Sequence, residues 1–344
     1  MILWDKEMAI YNQFENSFLT KITGVSYIGK PKSFTMMYLT KKIEDKLVHL
    51  TNVQGCLVFI ENTVNVPDEI IEQHIFVACD NPASSYTEIA LLLEEKIENE
   101  FRAKKYLLTE SGYTIGEDVQ IGTNTCIEPL VFIDHGVKIG NNVLIKTGAK
   151  IRRNTVIGDD CVIGENTVIG EPAFNITTLE NGRMVSIPSF GGVIVGNNVF
   201  MGANNSVSKG AADNTIIEDN VKIDSNVRIG HDVHLYNGVE IIACSAIGGY
   251  CEIGEHSTTS INCTLKNRTK VGTNCFVGMG SVVHHDIRDG LTVTGSPAIT
   301  VEQAAKDMVT NMKLKRMLKK CNGDIGGNCE MKQNSQKIRG VQPN

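Results

Sequence analysis

The sequence predicts a mainly β protein: a left-handed parallel β-helix of about eight coils, preceded by a small α/β domain and followed by a helix. The first observation is a six-residue period. Isoleucine recurs at a constant spacing of six at Ile115, Ile121, Ile127, Ile133, Ile139, Ile145, Ile151, Ile157, Ile163 and Ile169. An α-helix would repeat every 3.6 residues and a flat strand every two, whereas three six-residue segments close one triangular coil.

The second observation is the composition of the 344-residue chain. Hydrophobic residues make up 42% but aromatic residues only 6%, which favours a repetitive core packed with aliphatic side chains. The 32 glycines follow no Gly-X-Y period, so a collagen helix is excluded. A net charge of -6 argues against nucleic acid as the main partner, because a phosphate-binding face shows as a basic excess.

The repeat is interrupted twice. Residues 171–192 contain no Ile-Gly phrase and are predicted to form an excursion loop, and a shorter break falls at "GAADN", residues 210–214. The period then returns and continues to Val283. We therefore predict a β-helix domain over residues 111–297.

The flanking segments lack the period. Residues 1–110 are predicted to be a small α/β domain, with strands in "GCLVFIEN" and "HIFVAC". A helix is expected after Asn81, with Ser85 and Glu88 as a capping box. Residues 298–320 predict a second helix with a basic end, and the polar residues 321–344 are expected to be disordered.

The ten cysteines form no C-x-x-C pair, which argues against a zinc site and favours reduced thiols in a cytoplasmic protein. The N-terminus has no signal-peptide core, and no run of 18 apolar residues predicts a membrane span.

Three functional classes use such a repeat. An acyltransferase needs a base beside the coils, a β-helical carbonic anhydrase needs three histidines around a metal, and a structural solenoid needs neither. Uniform coils would mark the solenoid, and the excursion argues against it. His231 and His234 lie on one coil and His256 lies 25 residues after His231, a spacing that argues against the metal site.

Residues 186–233, from "SIPSFGG" to "VRIGHDV", resemble the bacterial UDP-3-O-acylglucosamine N-acyltransferases of lipid A synthesis. An excursion ending in Ile-Pro, a "GA-D-TII" turn, an Ile-Asp pair and the phrase with the catalytic histidine follow in that family's order. "NPASSYTEIALLLE" is similar to the family's N-terminal domain, which implies that residues 1–110 form a nucleotide-sugar-binding-like domain. The similarity covers roughly residues 20–290.

The resemblance implies a reaction and a set of residues. The acceptor is the amino group of a nucleotide-linked amino sugar, the donor is an acyl thioester, and neither metal nor cofactor is required. His231 would be the general base, Asp224 would orient its imidazole, and the backbone N–H of Gly249 would stabilise the oxyanion. Substrate-binding roles fall on Phe174, Lys209 and Asn226. A homotrimer with sites between subunits is implied as well.

Two features keep alternatives open. Met36 and Leu39 stand where the family has its uracil-contacting residues, so the nucleotide base is undetermined. The end of the repeat, "GMGSVVHHDIRDGLTVTGSPAITV", resembles CoA-dependent acetyltransferases of nucleotide-linked amino sugars. The donor is therefore an acyl carrier protein, which the basic helix around Lys313 and Arg316 could dock, or CoA in an N-acetyltransferase for a surface-polysaccharide sugar.

Overall fold

The computed structural model describes residue 22, residues 24–295 and residues 306–316. The described residues up to Gly295 form one compact unit, and residues 306–316 belong to a second. The predicted tail, residues 321–344, lies outside the described residues. The division of the first unit at residue 110 stays a prediction.

The N-terminal part contains a four-stranded parallel sheet in the order β1-β2-β3-β4. Its strands are β1 (Gly24–Val25), β2 (Thr35–Leu39), β3 (Leu57–Glu61) and β4 (Ile75–Cys79), and its helices are a 3-10 helix (Lys41–Asn52), α1 (Asp68–Ile71) and α2 (Pro82–Arg102). The predicted capping box is wrong. Asn81 caps α2, since its side chain accepts from the Ser84 N–H at 3.1 Å, and Pro82 begins the helix three residues before Ser85.

The repeat forms a left-handed parallel β-helix with three faces, which confirms the predicted fold class. Face 1 contains Thr114–Ile115, Phe132–Ile133, Lys150–Ile151, Val168–Glu171, Ser206–Ser208, Arg228–Ile229, Ala246–Ile247, Thr264–Leu265 and Val282–Val283, with the antiparallel strand Leu107–Leu108 at its edge. Face 2 contains Gln120–Ile121, Lys138–Ile139, Thr155–Ile157, Val193–Val195, Thr215–Ile217, His234–Leu235, Glu252–Ile253 and Lys270–Val271. Face 3 contains Cys126–Ile127, Leu144–Ile145, Val162–Ile163, Phe200–Met201, Lys222–Ile223, Glu240–Ile241, Thr258–Thr259, Phe276–Val277 and Thr292–Val293.

The core lies inside the triangle. In most strands the second residue points inward, and in Thr155–Ile157, Val193–Val195 and Thr215–Ile217 the third residue does. From Ile133 onward these inward residues are almost all buried in one continuous hydrophobic cluster. The corners need one residue per turn in the left-handed region, and Asn or Asp occupies most of those slots because their short side chains tolerate positive φ. The six-residue period therefore reflects one inward side chain and one such turn per face.

The excursion carries a hairpin of Ile176–Thr178 and Met184–Ser186. On its return it packs, with the second interruption, against the N-terminal part: Ile187, Phe190 and Ala212 contact the hydrophobic cluster that contains Val25 and Tyr86. Both breaks in the repeat are therefore fixed to the N-terminal sheet.

Residues 306–316 are helical and exposed along their whole length, in agreement with the predicted C-terminal helix. Among the described residues, no helix is long and apolar enough to cross a membrane.

Candidate functional site

His231 lies at the corner between face 1 and face 2, directly after the strand Arg228–Ile229 and its Gly230. Its side chain is largely buried, and Nδ1 lies 2.8 Å from Oδ2 of Asp232. When Nδ1 carries the proton and donates to this carboxylate, Nε2 is left as a hydrogen-bond acceptor. This is the tautomer that a general base with a free Nε2 requires.

Asp232 is held by the second interruption of the repeat. Its Oδ2 also accepts from the Ala211 N–H at 2.8 Å, and its own N–H donates to Oγ1 of Thr215 at 2.9 Å. Its side chain is only 5% exposed, and Oδ1 is buried without a hydrogen-bond partner among the described residues. The carboxylate is therefore fixed in one orientation toward the imidazole.

Gly249 occupies the same corner one coil after His231. A Cβ on Gly249 would lie 2.7 Å from Nε2 of His231, so only glycine leaves room for this imidazole position. The Gly249 N–H, the predicted oxyanion donor, is itself engaged: it donates to Oδ1 of Asn267 at 3.1 Å. The ring of Tyr250 closes the other side of the imidazole, edge to face at 5.0 Å.

Asp224 and Asn226 lie on a different corner, between face 3 and face 1. Both are exposed, and Oδ1 of Asp224 accepts from the Ser225 N–H at 2.7 Å. Within one chain, the structure brings His231 together with Asp232 and Gly249 but not with Asp224, because seven residues of this repeat lead to the next corner. The assignment of Asp224 stays a prediction.

Lys209 occupies the corner of His231 one coil earlier and is 8% exposed. Burial, together with the nearby Arg153 guanidinium, lowers the pKa of Lys209 to about 8. Phe174 projects from the excursion and is 83% exposed, so it is available to a ligand but contributes no wall of the site in one chain.

A cleft of about 340 Å³ lies beside this corner. Its floor is the outer surface of face 2, and its walls come from the loop after β1 and from the second interruption. It is lined by Tyr27, Lys30, Asp213, Asn214, Ile216, Asp232, Val233, His234, Tyr236, Tyr250, Glu252, Arg268 and Lys270. Asp232 and Tyr250 belong both to this lining and to the surroundings of His231. Met36 and Leu39 are buried inside the N-terminal part and do not reach the cleft.

The charges of the cleft are only partly compensated. Glu252 pairs with Lys270 at 3.0 Å, and Lys32 pairs with Asp213. Among the described residues, no carboxylate forms an ion pair with Lys30 or with Arg268, whose guanidinium lies 4.3 Å from the centre of the Tyr250 ring. The cleft therefore offers two cations and three tyrosine rings, a combination suited to an anionic ligand with flat groups.

Sequence reasoning missed Asp232 and the cleft lining. Asp232 has φ +55, the backbone geometry of the ordinary turn slots, so its side chain looked like one more turn residue. Its position directly after His231 was the available signal. In the described part of the chain, no group of three or more His, Cys, Asp or Glu residues could hold a metal ion.

Comparison with known proteins agrees with this repeat. Residues 136–171 match the bacterial transferase hexapeptide (six repeats), and residues 113–153 and 192–231 match the hexapeptide repeat of succinyl-transferase. These matches confirm the predicted hexapeptide β-helix.

Curated relatives carry the name UDP-3-O-acylglucosamine N-acyltransferase. The protein of Delftia acidovorans is 29% identical over 135 residues, 39% of this chain and 35% of the relative. The protein of Hahella chejuensis is 29% identical over 178 residues, 51% of this chain and 40% of the relative. The chain thus spans about a third of the length of the first of these. The resemblance to that group of enzymes is confirmed over these segments.

A solved structure, the UDP-N-acetylglucosamine acyltransferase from Campylobacter jejuni, is 27% identical with a TM-score of 0.46, covering 52% of this chain and 68% of that chain.

Proposed function

We propose that the protein is an N-acyltransferase that moves an acyl group from a thioester to the amino group of a nucleotide-linked amino sugar. The observation that carries the proposal is the His231–Asp232 pair at the rim of a cleft with uncompensated cations. The names of the relatives supply the substrate class: an acylated glucosamine linked to UDP. Lys30 and Arg268 suit the diphosphate of such an acceptor, and the tyrosines suit its base.

In this mechanism Nε2 of His231 removes a proton from the amino group as its nitrogen attacks the thioester carbonyl. A C–N bond forms and the C–S bond breaks, and the imidazolium returns its proton to the leaving thiolate. Asp232 stabilises the imidazolium through Nδ1–H. The Gly249 N–H gives up its hydrogen bond to Oδ1 of Asn267 and donates instead to the oxyanion, which stabilises the transition state by about 3 kcal/mol.

The donor and the assembly belong to the same proposal. The donor is an acyl carrier protein, and the acidic surface of such a carrier would complement the basic helical residues Lys313, Lys315 and Arg316. The protein acts as a cytoplasmic homotrimer, in which the exposed Asp224, Asn226 and Phe174 of one chain face a site of its neighbour. The alternative is a CoA-dependent N-acetyltransferase, favoured by the sequence of the last coils.

The test is an acyl-transfer assay of UDP- and dTDP-amino sugars with hydroxyacyl carrier protein and with acetyl-CoA. His231→Ala should lower kcat at least about a hundredfold while the assembly seen by size-exclusion chromatography is unchanged. His256→Asn is the matched control, because His256 is an exposed turn residue with φ +56 on another corner. Full activity of His231→Ala, or no transfer with any pair, would overturn the proposal. Turnover with acetyl-CoA alone would select the alternative.

A further inference from the structure

A second carboxylate-paired histidine, His234, lies on the floor of the cleft. It begins the strand after His231 on face 2, and its side chain points outward into the cleft lining. Its Nε2 lies 2.7 Å from Oε1 of Glu218, and its ring stacks on Tyr236 with centroids 3.9 Å apart and planes 12° apart. The ring is therefore fixed both in position and in plane, although the reaction described above does not use it.

Glu218 is itself held in place, because its second oxygen, Oε2, accepts from the Asn237 N–H at 3.1 Å. A fixed carboxylate at Nε2 requires the proton of the neutral ring to sit there. Nδ1 then carries a lone pair and no proton, and no hydrogen bond among the described residues occupies it. The neutral ring thus presents a hydrogen-bond acceptor, and not a donor, to whatever fills the cleft.

The groups around His234 decide which ligand atoms can reach it. On face 2 its neighbours in register are Ile216 on one side and Glu252 on the other, and Glu252 is paired with Lys270. The other charged and titratable groups of the cleft are Tyr27 and Lys30 from the loop after β1, Asp213 from the second interruption, and Asp232, Tyr250 and Arg268 from the corner. The unpaired cations Lys30 and Arg268 already suit phosphate, so His234 adds a different kind of contact.

We infer that Nδ1 of neutral His234 accepts a hydrogen bond from a hydroxyl group of the sugar-nucleotide acceptor, which makes His234 a specificity-determining residue of the cleft. The inference rests on the proposed function, because it takes the acceptor to be a nucleotide-linked sugar. Glu218 acts through His234 as a positioning residue that keeps the lone pair on Nδ1. His231 and His234 then divide two tasks on one coil: the first takes the proton, and the second holds the acceptor.

The test measures binding of UDP-glucosamine, and of dTDP-glucosamine, to the full chain by calorimetry with no acyl donor present. At pH 8, His234→Phe should raise the Kd about three- to tenfold, the effect of one hydrogen bond between uncharged groups. Phenylalanine keeps the stack on Tyr236, so the fold is preserved. Glu218→Gln should raise the Kd similarly, because an amide can donate to Nε2 and move the proton to Nδ1. His256→Asn should leave it unchanged.

The pH dependence has a definite sign. Protonation of the neutral His234 ring places a second proton on Nδ1. Nδ1 then has no lone pair, so lowering the pH should raise the wild-type Kd toward that of His234→Phe. If the wild type binds more tightly at low pH and His234→Phe removes that gain, the ring recognises phosphate as a cation and the inference is overturned.

Two further outcomes separate this inference from the proposed function. If the wild type binds a probe and His234→Phe binds it equally well at pH 8, only the role of His234 fails. If the wild type binds neither nucleotide sugar, the acceptor class fails and the inference fails with it.

Discussion

A Cβ on Gly249 would lie 2.7 Å from Nε2 of His231, so a side chain at position 249 and the imidazole of His231 cannot both occupy this space. Asp232 and the Tyr250 ring hold the imidazole from the other sides. The position of the imidazole therefore depends on the absence of a side chain at Gly249 as much as on the side chains of Asp232 and Tyr250.

Gly249→Ala tests this contact. The added methyl group should push the imidazole off its position, since real Cβ contacts are not this short, and kcat should fall about tenfold to a hundredfold. The midpoint of thermal unfolding should change little, because the atom that must move belongs to a side chain. Gly230 offers no such test, because a Cβ there would meet backbone of the next coil at 2.6 Å. Unchanged kcat for Gly249→Ala would mean that the imidazole position is not the reactive one.

Asp232→Asn and Asp224→Asn separate the two candidates for the orienting carboxylate. Asparagine keeps the shape of Asp232 but removes the charge that stabilises an imidazolium at 2.8 Å from Oδ2. We expect kcat to fall by about a hundredfold or more for Asp232→Asn, with acceptor KM within about threefold. A larger loss of kcat for Asp224→Asn in the assembled protein would instead mean that Asp224 of a neighbouring subunit orients the imidazole.

Lys209 carries a prediction about stability. Its pKa in the folded protein is about 8, below the 10.5 of an exposed lysine, because burial disfavours its charged form. Between these values the unfolded chain holds a proton that the folded chain does not, so this residue makes stability rise with pH from about 8 to 10.5. Below pH 8 Lys209 is charged in both the folded and the unfolded state, so the folded state is destabilised by the full free energy of burying the ammonium.

Lys209→Met should therefore raise the free energy of unfolding at pH 7 by about 3 kcal/mol, and the gain should shrink as the pH approaches 10. Denaturant unfolding at both pH values measures it. Lys138→Met, a lysine exposed on face 2, is the control and should show no such pH-dependent gain. A destabilising effect of Lys209→Met at pH 7 would show that the ammonium has a favourable partner.

Arg268→Gln tests the cationic part of the cleft. Loss of the unpaired guanidinium should weaken binding of a UDP-sugar about tenfold at low salt, and the difference should narrow at high salt because ions screen charge attraction. Calorimetry at two salt concentrations measures both effects. Equal binding by the variant would place the diphosphate elsewhere.

The sequence by itself determined the β-helix and its interruptions. A period of six is a local property: each segment needs one inward aliphatic side chain and one turn residue, and both can be read without knowledge of distant contacts. The order of motifs from 186 to 233 singled out His231 only through its resemblance to the UDP-3-O-acylglucosamine N-acyltransferases. The same local reading placed the N-cap of α2 at Ser85, four residues after the observed cap Asn81, because asparagine and serine both commonly cap helices.

The tertiary structure alone decided the partners of His231. Asp232 is adjacent in sequence, yet its carboxylate is aimed by Ala211 from another coil, and the space for the imidazole depends on Gly249, 18 residues away. The cleft likewise is lined by residues that are far apart in the chain, such as Tyr27 and Arg268. Met36 and Leu39 are core residues of β2, a fact that a sequence position could not reveal. Such contacts join residues far apart in the chain. Stacking of successive coils brings Gly249 to His231, and packing of the N-terminal part and the second interruption against the coils forms the cleft.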